Sequence, residues 1–213
     1  MSGFAARLRR ATMAEHREAE TRTFITRLMD GRIPLAGFVA LTAQYLVIYR
    51  ALEDAADRMG ADGTAAAFAD PALSRVPALE ADLAELHGPD WPSAVTPIEA
   101  TQRYAARLRE HCFTSPVHFL AHHYVRYLGD LSGGRLVGRA VAKAYGLGPA
   151  RLAFYTFDQI DDVRGYKAAY RERLDALPYP VEDLAVLVAE ARLAFRLNSA
   201  VFEQLGAAYP QAA

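Results

Sequence analysis

The chain has one cysteine, Cys112, among its 213 residues. No disulfide can form within it, and a lone thiol in an apolar, helical context points to a reducing compartment, so a cytoplasmic location is expected. An excess of one charge is also lacking. With 24 Lys and Arg against 25 Asp and Glu, the formal net charge of -1 provides no field for holding nucleic acid. Long apolar runs are missing too: the most apolar stretch, Phe38 to Tyr49, falls short of the roughly 20 residues that span a bilayer and contains Gln44, so no membrane span is expected. The first residues have no apolar run ahead of a cleavage site, and Arg7, Arg9 and Arg10 interrupt any such pattern; neither a signal peptide nor a C-terminal anchor is expected. No internal repeat, low-complexity tract or strand-like alternation occurs. No Glu-x-x-His occurs either, which removes the ligand set of a bundle-type di-iron oxidase.

What is present is helical periodicity. Apolar residues make up 52% and charged residues 23%, ordinary globular values, and the length suits one domain over residues 1–213, with a core at about 8–205 and a flexible C-terminal end. Phe4, Leu8 and Thr12, then Phe24, Ile25 and Leu28, predict one long first helix stopping at Gly31. Phe38, Leu41, Tyr45, Ile48, Leu52 and Ala55 predict a second, behind Pro34 and up to Gly60. From Ala61 to Pro97, glycines and prolines break the pattern, leaving a short helix near Ala78 to His87; this stretch reads as a lid over one side. Thr96-Pro97-Ile98-Glu99 predicts an N-cap and a first-turn proline, and Pro116 opens a helix that ends near Gly146. Two more helices are predicted at about 160–176 and 181–208. The fold class is all-α, with seven to nine helices.

The stretch from His122 to Gly134 places Gly129, Gly133 and Gly134, together with Asp130, inside a helical pattern. Each interior glycine costs roughly 1 kcal/mol relative to alanine, so the backbone is expected to approach something flat and bulky. Gly129 and Gly133, with Gly134 and Gly138, form a narrow stripe at four-residue spacing. Close helix packing would account for two such glycines but leaves Asp130 and Ser132 unexplained; a helix kinked at the glycine pair over a planar ligand accommodates all of them. No strand precedes these glycines, which excludes a dinucleotide fingerprint. His16 and Glu20 lie one turn apart on a shared face, an arrangement that orients a metal-bound imidazole but also occurs as a solvated pair. His118 and His122 are spaced alike, yet without a third ligand they make a weak metal site, His118 reading as surface or packing.

The run Leu120-Ala121-His122-His123-Tyr124-Val125-Arg126-Tyr127-Leu128-Gly129-Asp130-Leu131-Ser132-Gly133-Gly134 resembles the signature of heme oxygenases. His16 to Glu20, Tyr45 to Glu53, and Phe195-Arg196-Leu197-Asn198 with Phe202-Glu203 follow in that family's order, so the resemblance covers about Leu8 to Leu205. It implies a helical fold holding heme, cofactor and substrate together, between a proximal first helix and a kinked distal helix. The implied reaction cleaves heme with O2 to biliverdin, ferrous iron and CO. His16 is the implied axial ligand, neutral and able to leave the iron open to oxygen, with Glu20 beside it and Phe195 at the heme. Gly129 and Gly133 are implied to admit oxygen bent along the heme plane. Asp130 is implied to act through ordered water, with Tyr49, Arg126 and Asn198 in the same distal network. Lys167, Arg171, Tyr124 and Arg9, where the family commonly has lysine, would hold the propionates and so direct attack to the α-meso carbon. Each polar residue also has a plain reading as a packing or surface group. Two departures stand out: Ile25, where the family often has methionine, and Arg196, where an apolar neighbour of Phe195 is usual. Electrons would come from a ferredoxin or flavoprotein reductase docking on the basic rim, and the expected state is a monomer. A heme carrier or sensor, needing His16 but not Asp130, is the alternative.

Overall fold

The computed structural model describes residues 3–210; of the C-terminal end expected to be flexible, residues 206–208 are helical, and 211–213 lie outside the described residues. In place of one long first helix the chain forms α1 (Phe4–Ala11), α2 (Met13–Glu20) and α3 (Thr23–Met29). Threonines mark the breaks. The Thr12 hydroxyl donates to the Leu8 carbonyl and the Thr21 hydroxyl to the Arg17 carbonyl, each at 2.9 Å, a back-bonding pattern that competes with helix continuation. Arg22 then turns out of the helix at φ −57 and ψ 131. Apolar spacing missed this because it reports which side faces the core, and all three pieces bury that side.

The central helix α4 (Leu35–Met59) is longer than the apolar run suggests. An 18-residue window with mean hydropathy 1.5 makes it long and apolar enough to cross a membrane, but 67% of that window is buried inside the fold, as suits a core helix. Phe38, Leu41, Leu46, Ile48, Leu52 and Ala55 are among its buried residues. The following stretch is part of the core and no lid: Ala65, Phe68 and Leu73 in two 3₁₀ turns, and Leu79 and Leu83 on α5 (Val76–His87), are all buried. Its prolines punctuate the chain without exposing it. Buried Asp82 on α5 accepts from the amides of Ala153 and Phe154 at 2.7 and 2.9 Å and so anchors the turn at 153–155.

After α6 (Trp91–Ala94), α7 (Glu99–Arg107) begins behind extended Ile98 with no side-chain cap of its own, so Thr96 is not the N-cap and Pro97 lies outside the helix. Its first amides are served from afar: Ile98 N–H donates to Gln44 Oε1 at 2.9 Å and Ala100 N–H to Gln204 Oε1 at 2.8 Å. Long-range partners of this kind satisfy the orphan donors of a helix start without leaving a local motif. Next, α8 (Pro116–His123) runs through π-helical turns at Tyr124–Leu128 and Asp130–Gly134 into α9 (Arg135–Tyr145), which stops at left-handed Gly146 (φ 64). Then come α10 (Val163–Asp175) and α11 (Val181–Ala208). Helix α11 packs along α8, α7, α2 and α3 and joins the two sides of the molecule.

Gly138 on α9 is a packing glycine: a Cβ there would stand 2.7 Å from Tyr155 Cβ. Gly138→Ala is expected to destabilise the chain by about 1–3 kcal/mol, since neither backbone-fixed atom can swing aside. A thermal melt checks this, and an unchanged or raised midpoint would contradict it.

Candidate active site

The glycine stripe divides in two. A Cβ built at Gly129 or Gly133 would meet nothing within 4 Å, whereas one at Gly134 would touch Asp130 and Tyr155 at 3.7 Å, and Gly138 is packed tight. Only Gly129 and Gly133 therefore face open space. The helix around them is not sharply kinked at a glycine pair; it is widened by two π-helical turns that flank Gly129, an arrangement that displaces side chains from their α-helical register.

Beside this opening, α4, the widened helix and α11 bring four polar residues together. The Tyr49 hydroxyl donates to Asp130 Oδ2. Arg126 donates from Nε to the Tyr49 hydroxyl at 3.2 Å and from Nη1 to Asn198 Oδ1 at 2.7 Å. Its guanidinium also lies 4.5 Å from the ring centre of Tyr45 and 4.8 Å from that of Tyr49. Its third nitrogen, Nη2, is buried and has no hydrogen-bond partner among the described residues. Burial pushes the Asp130 carboxyl above its ordinary range, against the pull of Arg126, and burial raises Tyr49 well above the usual phenol value. Both groups are thus biased toward holding their protons.

A further ring of residues carried no local signal. Glu53 Oε1 accepts from the amides of Arg75 and Val76 at 2.5 and 3.1 Å and from the Tyr127 hydroxyl at 3.4 Å. Arg75 in turn donates to the Leu73 carbonyl at 3.0 Å and the Phe154 carbonyl at 3.2 Å, and its charge lowers the Asp130 carboxyl. Phe154 closes the cluster, its ring 5.4 Å from Tyr45 and 5.5 Å from Tyr49. Tyr45 and Glu53 sit in the segment that carries the resemblance, but only the fold shows what they touch. Arg75 and Phe154 come from the supposed lid and from a short turn.

On α2, His16 Nδ1 lies 3.3 Å from Glu20 Oε2, with the two side chains 43% and 63% exposed. Among the described residues no hydrogen bond or ion pair engages its Nε2, and the ring meets Phe195 of α11 edge-on at 5.4 Å. The unusual Arg196 has a visible role: together with Arg192 it faces Glu15 Oε1, at 3.7 and 2.6 Å, so α11 grips the residue next to His16. Burial works to raise Glu15, but the hydrogen bonds from Arg192 and its own backbone and the charges of Arg192 and Arg196 together outweigh it, and the carboxyl stays below the ordinary range. Ile25 is buried.

Positive charge gathers on one rim. Lys167 Nζ on α10 donates to the Leu131 carbonyl and the Ser132 hydroxyl of the widened helix, each at 3.4 Å, and Arg171 donates to the Lys167 carbonyl at 3.2 Å. Burial raises the Tyr124 hydroxyl, which bonds to Thr12 and feels the charges of both Arg171 and Arg9. Arg9, Tyr124, Lys167 and Arg171 thus come from three separated segments to a common edge. The pair His118 and His122 does not converge on anything: His118 Nδ1 meets Ser115 Oγ at 2.7 Å and His122 Nε2 meets Glu190 Oε1 at 2.8 Å. Among the described residues no group of three or more His, Cys, Asp or Glu side chains is placed to hold a metal ion.

These features fit a planar, iron-bearing, doubly anionic group. Two glycines lack only the atom that would obstruct it, cations line one edge, and among the described residues one nitrogen of His16 and the buried Nη2 of Arg126 have no hydrogen-bond partner. The profile of the heme oxygenase family matches residues 2–204. The chain is 38% identical to heme oxygenase 1 of Rattus norvegicus, over 94% of this chain and 70% of that protein. It is 32% identical to the heme oxygenase of Guillardia theta, over 98% and 88%. The fold superimposes on heme oxygenase-1 of Synechocystis sp. PCC6803 in complex with heme at a TM-score of 0.93, with 31% identity over 97% of this chain and 94% of the other. Heme oxygenase of Leptospira interrogans superimposes at 0.90, with 33% identity over 95% of this chain and all (100%) of the other. Fold and sequence thus agree over nearly the whole length, and the chain belongs to the heme oxygenase family.

Proposed function

We propose that the chain binds heme between α2 and the widened helix and opens it at the α-meso carbon, with O2, to biliverdin, iron and CO. The observation that carries this reading is the placement of Asp130, biased toward its protonated form, beside backbone at Gly129 and Gly133 that has no side chain in the way. Heme supplies the iron that activates oxygen and the macrocycle that is oxidised. His16 Nε2 would hold that iron, with Glu20 at Nδ1 fixing the ring's tautomer and plane. Tyr49, itself held by Arg126, holds the Asp130 carboxyl where it can present a proton to the open space, through water. Arg9, Tyr124, Lys167 and Arg171 would hold the propionates and so direct opening to the α carbon. The same basic rim suits docking of an acidic electron donor such as a ferredoxin or flavoprotein reductase. A monomer in the cytoplasm completes the reading, in keeping with the buried free thiol of Cys112.

The test is an absorption time course of the protein with hemin, then O2 and a reducing system under catalase. The Soret band should decay as a broad red biliverdin band grows, and chromatography should give the α isomer. A Soret band that persists through reduction and oxygenation would mean a carrier or sensor. His16→Ala is expected to weaken hemin binding by roughly tenfold or more, the scale of losing a coordinating group together with its oriented hydrogen bond, and to stop turnover. Wild-type hemin spectra and turnover in that variant would remove His16 as ligand.

A further inference from the structure

Helix α1 starts without a cap of its own. Its N-cap is Gly3, which has no side chain to accept from the first amides, and no acid occupies its first turn. The missing acceptor comes from α10: Asp175 Oδ1 accepts from the amide of buried Ala5 at 2.7 Å, from 170 residues away in the chain. Glycine at position 3 makes room for this. A Cβ there would overlap the Asp175 carboxylate, whose carbon and both oxygens crowd that point. For α10 itself the acid is badly placed, because Asp175 is its last helical residue and adds negative charge where the helix dipole is already negative. Its benefit falls on α1, whose positive end it faces.

The contact sets a register. Both helices are regular α-helix here, so Ala5 and Arg9 share one face of α1, and Asp175 and Arg171 share one face of α10. The start of α1 lies against the end of α10, so the packed pair runs in opposite directions, and one turn inward from the contact of Ala5 with Asp175 each helix presents an arginine. Arg9 and Arg171 are thereby brought level. The charges of both reach the Tyr124 hydroxyl, which places them together at the basic rim. Two like charges held side by side repel one another and gain from an anion between them. The other end of α10 is tied to the widened helix, where Lys167 Nζ donates to the Leu131 carbonyl at 3.4 Å.

We propose that Asp175 is a positioning residue: its hydrogen bond to α1 fixes the register in which Arg9 stands level with Arg171, and so shapes the rim for a pair of carboxylates. The inference rests on the reading of this rim as the propionate site. The alternative is a helix cap that serves stability alone.

The test measures binding of protoporphyrin IX and of its dimethyl ester, both without iron, by porphyrin fluorescence. The ester lacks the two carboxylates and the missing iron removes His16 from the comparison, so the ratio of the two affinities reads the rim alone. The parent is expected to prefer the acid. Asp175→Ala should lower that preference by roughly three- to tenfold, the scale of one helix-capping hydrogen bond, and Asp175→Asn, which keeps an acceptor, should retain it. Gly3→Ala, which displaces the carboxylate and leaves its charge, should match Asp175→Ala and keeps the experiment decisive if that variant folds poorly. Equal weakening of acid and ester, with the preference unchanged, would overturn the proposal in favour of a plain cap. A preference raised alike in Asp175→Ala and Asp175→Asn would also overturn it, since both remove one negative charge beside the rim. A parent that holds acid and ester equally would instead refute the propionate reading itself, and the proposal with it.

Discussion

Asp130→Ala should take up hemin as the parent does and form biliverdin about 10²-fold more slowly or worse, the usual scale for removing a positioned proton donor. Hemin uptake survives because Asp130 touches neither the His16 side nor the basic rim. Turnover fails because the proton donor that the Tyr49 hydroxyl holds in place, braced by Arg126, is gone. Titration of the Soret band separates the two effects, and undiminished ring opening would remove Asp130 from the mechanism. Asp130→Asn gives a second readout in the heme-free chain. Burial lifts this carboxyl when the chain folds, so its contribution to stability is complete below the ordinary carboxylate pKa and declines as pH rises through the lifted value. Asparagine does not titrate. Its melting temperature relative to the parent should therefore climb from acid toward neutral pH, and a flat difference would contradict the burial argument.

Gly129→Ala and Gly133→Ala should move stability and activity in opposite directions. Each added methyl enters open space, so nothing opposes the gain in helical preference of up to about 1 kcal/mol, and the heme-free melting temperature should rise by roughly 2–4 °C. The same methyl occupies the space that the bound ligand needs, and ring opening should fall by about tenfold or more, the kinetic equivalent of a 1–3 kcal/mol overpacking penalty. Calorimetry without hemin and a turnover assay with it decide the matter. Lowered stability, or activity at the parent level, would mean that these glycines serve the fold, as Gly138 does. Few substitutions separate a packing glycine from a ligand-facing one so directly.

Much of this arrangement could be read from residues close together in the chain. The helix faces of α4 and α11, the His16 and Glu20 pair, and the acid among glycines all rest on three- and four-residue spacing, which is a property of the helix itself. What stayed hidden depends on contacts between distant segments. Thr12 and Thr21 break the first helix by bonding backward, which an apolar pattern does not register. Gln44 and Gln204 cap α7 from 54 and 104 residues away. Arg75 reaches the Asp130 cluster from the stretch whose prolines suggested a lid, and Phe154 from the short turn at 153–155. The four glycines looked alike in sequence, and only the position of Tyr155 distinguishes Gly138 from Gly129 and Gly133.

An eight-residue helix does not hold together by itself in water, so α2 persists only while α11 keeps it docked through Glu15, Arg192 and Arg196. His16 is therefore presented by a population rather than by a rigid post. With His16 as the iron's ligand, as proposed above, molecules whose α2 has lifted would offer none, and the hemin affinity would be the intrinsic affinity multiplied by the docked fraction. Linkage works the other way as well: bound hemin draws α2 onto α11 and stabilises the whole chain in proportion to its concentration. Two arginines that never touch the iron thus share control of how firmly it is held, and ionic strength, by loosening their hold on Glu15, reaches the ligand without altering it.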